Sequence, residues 1–274
     1  MQMERSSKYS VKEWIEDLQK KGRITFRLSD AIEAFPLLQA DTVKRSLTRL
    51  TKKRKICSAW NGFYVIVSIE YQDKGIVPVI FYIDHLMKFL GRDYYISLLN
   101  AASFYGAAHQ RPQEYTIVTT PPSLRASRKE GVKINFINKS TIPEQFTERR
   151  KTQTGYVKIA SAELTATDLV QYEKEIGGLN RTATVLNELA ESLNFKGIRP
   201  AFFEYVPLPV IQRLGYLLDV ELGFTSLADD LLSEIEKKGN FIRKVPLKYR
   251  NSTKGCTINE KWKIIINESI EIDE

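Results

Sequence analysis

Apolar residues recur along this chain in two rhythms, one near 3.6 and one of two, and each change of rhythm marks an element. Val11, Trp14, Ile15 and Leu18 share one face of a helix predicted over residues 11–21, with Ser10 placed to cap it and Gly22 to end it. Residues 23–26 form a short β-prone run. Ser29 is placed to cap a second helix over 30–35, closed by Pro36. Val43, Leu47 and Leu50 stand at i, i+4 and i+7, which predicts a third helix over 41–53 with those three buried. At 100° per residue, Arg45, Thr48, Arg49 and Lys52 project from the other side. Two β-prone runs, 55–60 and 63–68, flank Asn61-Gly62, the pair preferred in a tight type I′ hairpin.

The remainder mixes both rhythms. Residues 72–78 read as a linker or domain edge. Helices are predicted over 80–90, ending at Gly91, and over the aromatic stretch 94–105. Strands are predicted at 115–120, 132–137 and 155–160, with a polar basic loop at 123–131. Ser161 caps a helix over 162–172 that offers Leu164, Leu169 and Val170 for burial, and Gly177-Gly178 breaks the chain after it. Further helices are expected over 181–193 (capped by Asn180), 209–222 and 227–238 (capped by Ser226). The tail reads as a hairpin with its clearest strand at 262–267. The expected class is α+β, with an N-terminal winged helix-turn-helix over residues 1–75 and a larger mixed α/β domain over 76–274.

Charge sharpens this division. Residues 1–56 hold 14 Lys and Arg against 7 Asp and Glu, whereas residues 57–274 hold 27 against 26. Nearly all of the net charge of +8 therefore sits on the first fifth of the chain, the distribution expected of a nucleic-acid-binding segment joined to a near-neutral body. In a winged helix-turn-helix the third helix enters the major groove and the hairpin lies along the backbone. Arg45, Thr48, Arg49, Lys52 and Lys53 are the candidate DNA contacts: Lys and Arg neutralise phosphates, an Arg can fork onto a guanine edge, and a Thr can reach base or backbone. A charged face on a protein-binding helical domain is the bland alternative.

The two cysteines, Cys57 and Cys256, form no CxxC and no Cys/His cluster, so neither a disulfide framework nor a metal is expected, and a reducing cytoplasm fits. The first fourteen residues lack an apolar core and no stretch reaches the ~18 apolar residues of a bilayer span, so no membrane association is expected. The body holds little recognisable chemistry. His109, beside Gln110 and Gln113, reads either as a general base or nucleotide contact, or as a satisfied histidine at a corner. Asp168 reads either as catalytic or as a carboxylate paired with an Arg to fix the fold. The basic stretches 125–129 and 149–151 read as solvated loops sooner than as phosphate contacts. Phosphate-binding loops, metalloprotease and hydrolase motifs are absent, so neither an enzyme nor a cofactor is expected.

Three segments carry a resemblance: YYISLLNAASFYGAAHQRPQEYTIVT (94–119), SAELTATDLVQYEKEIGGLNRTATVLNELAE (161–191) and VIQRLGYLLD (210–219). With the N-terminal pattern they resemble the AbiEi antitoxins of type IV toxin–antitoxin systems, over roughly residues 8–240. The last thirty residues carry no such motif. The resemblance implies a repressor that binds inverted repeats in its own promoter, and a C-terminal part that counters a nucleotidyltransferase-like toxin encoded nearby without a stable complex. It also implies a setting of phage defence by abortive infection, or of plasmid and genome maintenance. His109, Gln110 and Gln113 match the family's motif, where they shape an antitoxin surface or hold a corner. Two other functions remain open on the residues alone: a plain winged-helix regulator whose body senses a ligand or oligomerises, and a nucleic-acid enzyme using His109 or Asp168.

Overall fold

The third predicted helix forms as α3 (Ala40–Lys52) in a computed structural model of the chain, which describes residues 9–108, 114–129, 132–239 and 241–272. Before it come α1 (Val11–Lys20), β1 (Thr25–Arg27) and α2 (Leu28–Ala34). After it come β2 (Ile56–Trp60), β3 (Phe63–Ile66) and α4 (Ile83–Leu90). The body continues with β4 (Tyr94–Ile96), α5 (Leu98–Ala102), β5 (Glu114–Thr119), β6 (Ser127–Lys129), β7 (Val132–Asn138), β8 (Thr147–Thr152) and β9 (Gly155–Ala160). The last elements are α6 (Ala162–Gln171), α7 (Leu179–Leu189), α8 (Phe202–Tyr205), α9 (Leu208–Tyr216), α10 (Thr225–Lys237), β10 (Val245–Pro246), β11 (Ile258–Asn259) and β12 (Ile264–Ile265). The chain is thus a mixture of helices and strands, as the α+β class requires.

The chain divides into two compact units. The first takes the described residues of Met1–Tyr94, Gln113–Ser140 and Arg149–Val157. Here Ser10 caps α1 through a reciprocal box with Glu13, whose carboxylate accepts from the Ser10 backbone N–H at 2.7 Å. A different residue from the one expected caps α2. Ser29 lies inside the helix, and the Asp30 carboxylate accepts the Arg27 N–H at 3.0 Å. Strands β1, β3 and β2 form an antiparallel sheet in that order, with Phe26 opposite Tyr64. Val11, Ile15, Leu18, Phe26, Phe35, Val43, Leu47 and Leu50 close one core over this sheet, rimmed by Trp14 and Tyr64. The Asn61-Gly62 turn is not type I′, because only Gly62 takes a positive φ (75°) and Ala59 is bulged out of register.

Elsewhere in this unit β5 runs parallel to β7, and β6 pairs antiparallel along the other edge of β7. Strand β6 lies within the predicted loop. Its Ser127, Arg128 and Lys129 lack apolar alternation because it is an edge strand, where basic side chains are tolerated.

The second unit takes the described residues of Tyr95–Pro112, Thr141–Glu148 and Lys158–Glu274. The helix expected over 94–105 is broken: β4 comes first, pairing in parallel with β9 at Ile96–Ile159, and only Leu98–Ala102 is α-helical. All three residues of β4 are buried, and a short apolar run buried on every side has no period to betray it. Helix α6 is capped as expected, the Ser161 hydroxyl accepting the Leu164 N–H at 3.2 Å. Asn180 and Ser226 cap nothing; they lie inside α7 and α10, which begin one turn-residue earlier at Leu179 and Thr225. The tail is a three-stranded sheet rather than a hairpin, β10 lying parallel and β11 antiparallel to β12. It is locked to α9 by Trp262, which is fully buried against Gly215, where a Cβ would overlap the indole. The Gln212 side chain donates to the carbonyls of Arg243 (2.8 Å) and Trp262 (2.9 Å), and the indole N–H donates to Asp219 at 2.9 Å. Among the described residues no helix is long and apolar enough to cross a membrane.

Candidate nucleic-acid interface

Helix α3 is built to show one face. Val43 and Leu47 are wholly buried and Leu50 nearly so, each stabilising the unit by roughly 1.5–3 kcal/mol as an upper bound. The opposite face is exposed at Lys44, Arg45, Thr48, Arg49 and Lys52, and Lys53 follows as the helix ends. A shallow surface lined by Asp41, Lys44, Arg45, Thr48 and Arg49 runs along the N-terminal part of this face. Lys44 pairs with Asp41 at 3.3 Å, whereas Arg45, Arg49, Lys52 and Lys53 make no ion pair among the described residues. The Thr48 hydroxyl donates to the Lys44 carbonyl at 2.9 Å, which fixes its rotamer on the exposed side. All five predicted contacts therefore share one surface, and Lys44 joins them.

The hairpin expected to act as the wing is anchored within its own unit. The Phe63 ring lies 5.3 Å from that of Phe89 on α4, the Arg27 guanidinium covers the same Phe89 ring at 5.6 Å, and Trp60 meets Phe136 of β7 edge-on at 5.9 Å. The Gly62 carbonyl accepts the Leu28 N–H at 2.9 Å. Of residues 60–63 only Asn61 is fully exposed. The hairpin tip is thus committed to packing within its own unit.

The C-terminal end of α3 carries residues that periodicity alone passes over. Arg54 follows the helix with φ 55°, in the left-handed region, where the Arg54 N–H reaches Thr51 O and the Lys55 N–H reaches Leu50 O. Left-handed backbone costs an L residue about 1–2 kcal/mol, which is why glycine is usual there. The Arg54 guanidinium donates to the Asp73 carbonyl, its stem crosses Gly75 (φ 66°), and Lys55 reaches the Gln72 side chain at 2.8 Å. Thr51, Lys52, Arg54, Lys74 and Gly75 line a shallow cleft there. The sequence signal was an arginine where a helix-ending glycine belongs.

The other candidates part company. Asp168 is fully buried on α6, and its carboxyl accepts from the Ser97 hydroxyl at 2.6 Å and the Tyr95 hydroxyl at 3.0 Å. The Tyr95 and Tyr205 hydroxyls lie 3.3 Å apart. Burial, then the Asp168 carboxyl, push the Tyr95 phenol far above its usual range, so it stays a donor. His109, Gln110 and Gln113 lie outside the described residues. The remaining histidine, His85, is half-buried with Nδ1 3.1 Å from the Thr25 hydroxyl, and burial lowers its pKa. Of the basic stretches, Arg149 stacks over Tyr156 at 4.9 Å and Arg128–Lys129 belong to β6. Among the described residues no group of three His, Cys, Asp or Glu side chains is placed to hold a metal ion.

Comparison with known proteins adds the following. No curated protein matches the sequence. The crystal structure of the RV2827C protein from Mycobacterium tuberculosis superposes with a TM-score of 0.64 at 13% identity, over 93% of this chain and 90% of that one, so the fold is shared. An antigenic nucleotidyltransferase-like protein from Paracoccidioides brasiliensis superposes with a TM-score of only 0.38 at 12% identity, over 56% of this chain and 91% of that one. Residues 95–220 match the family model of the AbiEi antitoxin C-terminal domain, a stretch that holds the buried Asp168 and ends on the helix that Trp262 seals. Over those residues the chain is similar to the C-terminal domain of the AbiEi antitoxins.

Proposed function

We propose that residues 1–75 are a winged helix-turn-helix that binds promoter DNA, and that the chain is an antitoxin which also represses its own operon. The observation that carries the DNA reading is the face of α3: Arg45, Arg49, Lys52 and Lys53 stand exposed, without ion pairs among the described residues, opposite three buried anchors. Unpaired cations on a rigid helix release phosphate counterions without first breaking a bond within the protein. The element order and the β1–β3–β2 sheet support the same assignment. Since the hairpin tip is packed, α3 carries the contact.

The match of residues 95–220 to the AbiEi antitoxin C-terminal domain supports a toxin–antitoxin role. We infer that the partner is a nucleotidyltransferase-like toxin encoded nearby, opposed in the type IV manner without a stable complex, and that the setting is phage defence in the bacterial cytoplasm. We also infer that the antitoxin is not an enzyme: Asp168, the carboxylate best placed for chemistry by sequence, is sealed off and hydrogen-bonded.

One experiment separates the two activities. Full-length protein and the Arg45→Ala/Arg49→Ala double variant are each expressed beside the neighbouring gene and a reporter on the operon promoter. The double variant is expected to lose repression and keep protection. Repression unchanged in the variant removes α3 from the interface; a neighbour that is harmless to the host removes the antitoxin half.

A further inference from the structure

We propose that Arg54 and Lys74 form a second phosphate-binding point at the C-terminal end of α3, taking over the backbone contact that the packed hairpin tip does not supply. The inference rests on the DNA reading of α3 and deepens it.

Three observations meet here. First, Arg54 occupies a left-handed position at φ 55°, where glycine would relieve the backbone. A strained residue is kept when its side chain does something that a glycine cannot. Second, that side chain is held out in a defined pose: its stem lies across Gly75, and one of its five N–H groups is tied to the Asp73 carbonyl. The rest of the fork faces a cleft shared with Lys52 and Lys74. Third, Trp60, Gly62 and Phe63 are held against Phe89 and Phe136, which leaves Asn61 as the one fully exposed residue of the tip.

A structural role alone is the competing account. Arg54 would tie residues 72–75 to the helix and offset the negative end of the α3 dipole. The two accounts differ in what a glycine does. Glycine at 54 removes strain and charge together, so it leaves folding unharmed but abolishes a phosphate contact. Gly75 is a positioning residue in the same scheme, since a Cβ there would press on the Arg54 stem. The exposed Asp73 and Glu70 near this end set a limit on the positive field, which makes the contact a local one rather than a broad basic patch.

The test uses the full chain and a duplex carrying the promoter of its own operon, with a scrambled duplex beside it. Affinity is measured across a salt titration for the wild type, Arg49→Ala, Arg54→Gly, Lys74→Gln and the Arg54→Gly/Lys74→Gln pair, and thermal unfolding is recorded for each. The proposal expects each single change to flatten the log K against log[salt] slope by about one unit and the pair by about two, on both duplexes alike. It also expects Arg54→Gly to unfold no earlier than the wild type. Wild-type slopes in Arg54→Gly and Lys74→Gln, with a weakened Arg49→Ala, overturn this inference and leave α3 as the interface. Wild-type protein that binds neither duplex, or Arg49→Ala that binds as the wild type does, overturns the DNA reading and this inference with it.

Discussion

Helices α3 and α6 are comparable in length and both carry charge, yet they use it in opposite directions. Three of the thirteen residues of α3 are buried, and its cations point outward, all but Lys44 without an ion pair among the described residues. Eight of the ten residues of α6 are buried, and its one central carboxylate points inward onto Ser97 and Tyr95. A charge turned outward costs the fold little and is available to another molecule. A charge turned inward is held by the fold and holds it in return. The first arrangement suits a surface that must engage and release; the second fixes the frame of the unit around α6.

The largest test of this contrast is Asp168→Ala. Two buried hydroxyls lose their acceptor, so we expect destabilisation of about 2–5 kcal/mol in urea unfolding, and a smaller loss for Asp168→Asn. Near-normal stability of the alanine variant would mean that α6 does not depend on its inward charge. Gly215→Ala comes next, at about 1–3 kcal/mol by overpacking against Trp262. A normal unfolding midpoint there would show that the indole moves aside freely.

Outward charge is expected to do the reverse. Arg45→Ala and Arg49→Ala should shift stability by no more than about 0.5 kcal/mol, while a base-reading Arg should cost ~1–3 kcal/mol of DNA binding at one sequence position. The smallest effect concerns His85, which lies between the two extremes. Burial lowers its pKa below 6.5, with Lys88 and Arg23 adding to the shift and Asp84 opposing it. The unfolded chain therefore takes up the proton first. Stability from this group is complete above pH 6.5 and declines as the pH falls through that value, and His85→Gln should flatten the decline. An equally steep decline in the variant assigns the pH dependence to other groups.

The outward helix was legible in the sequence and the inward one only in part, for a physical reason. Burial of Val43, Leu47 and Leu50 and exposure of Arg45 and Arg49 follow from helical geometry within thirteen residues. The Ser10 and Ser161 caps are equally local. Asp168 instead meets Tyr95 and Ser97, some seventy residues earlier and on a segment whose apolar run suggested a helix when it begins as a strand. Sequence raised an Arg partner for Asp168; the partners seen are the hydroxyls of Ser97 and Tyr95. The fate of the hairpin tip was hidden in the same way, because Phe89 and Phe136 arrive from other elements. The tail lacked any familiar motif, and only its packing shows that Trp262 completes α9.

That last fit has a consequence for lineages rather than for one molecule. Gly215 and Trp262 form a lock whose halves cannot be altered separately: a larger residue at 215 evicts the indole, and a smaller one at 262 opens a void beneath α9. Drift at the two positions should therefore be correlated. In relatives lacking the segment after α10, the notch is expected to be filled from within, by a bulkier side chain where Gly215 stands here.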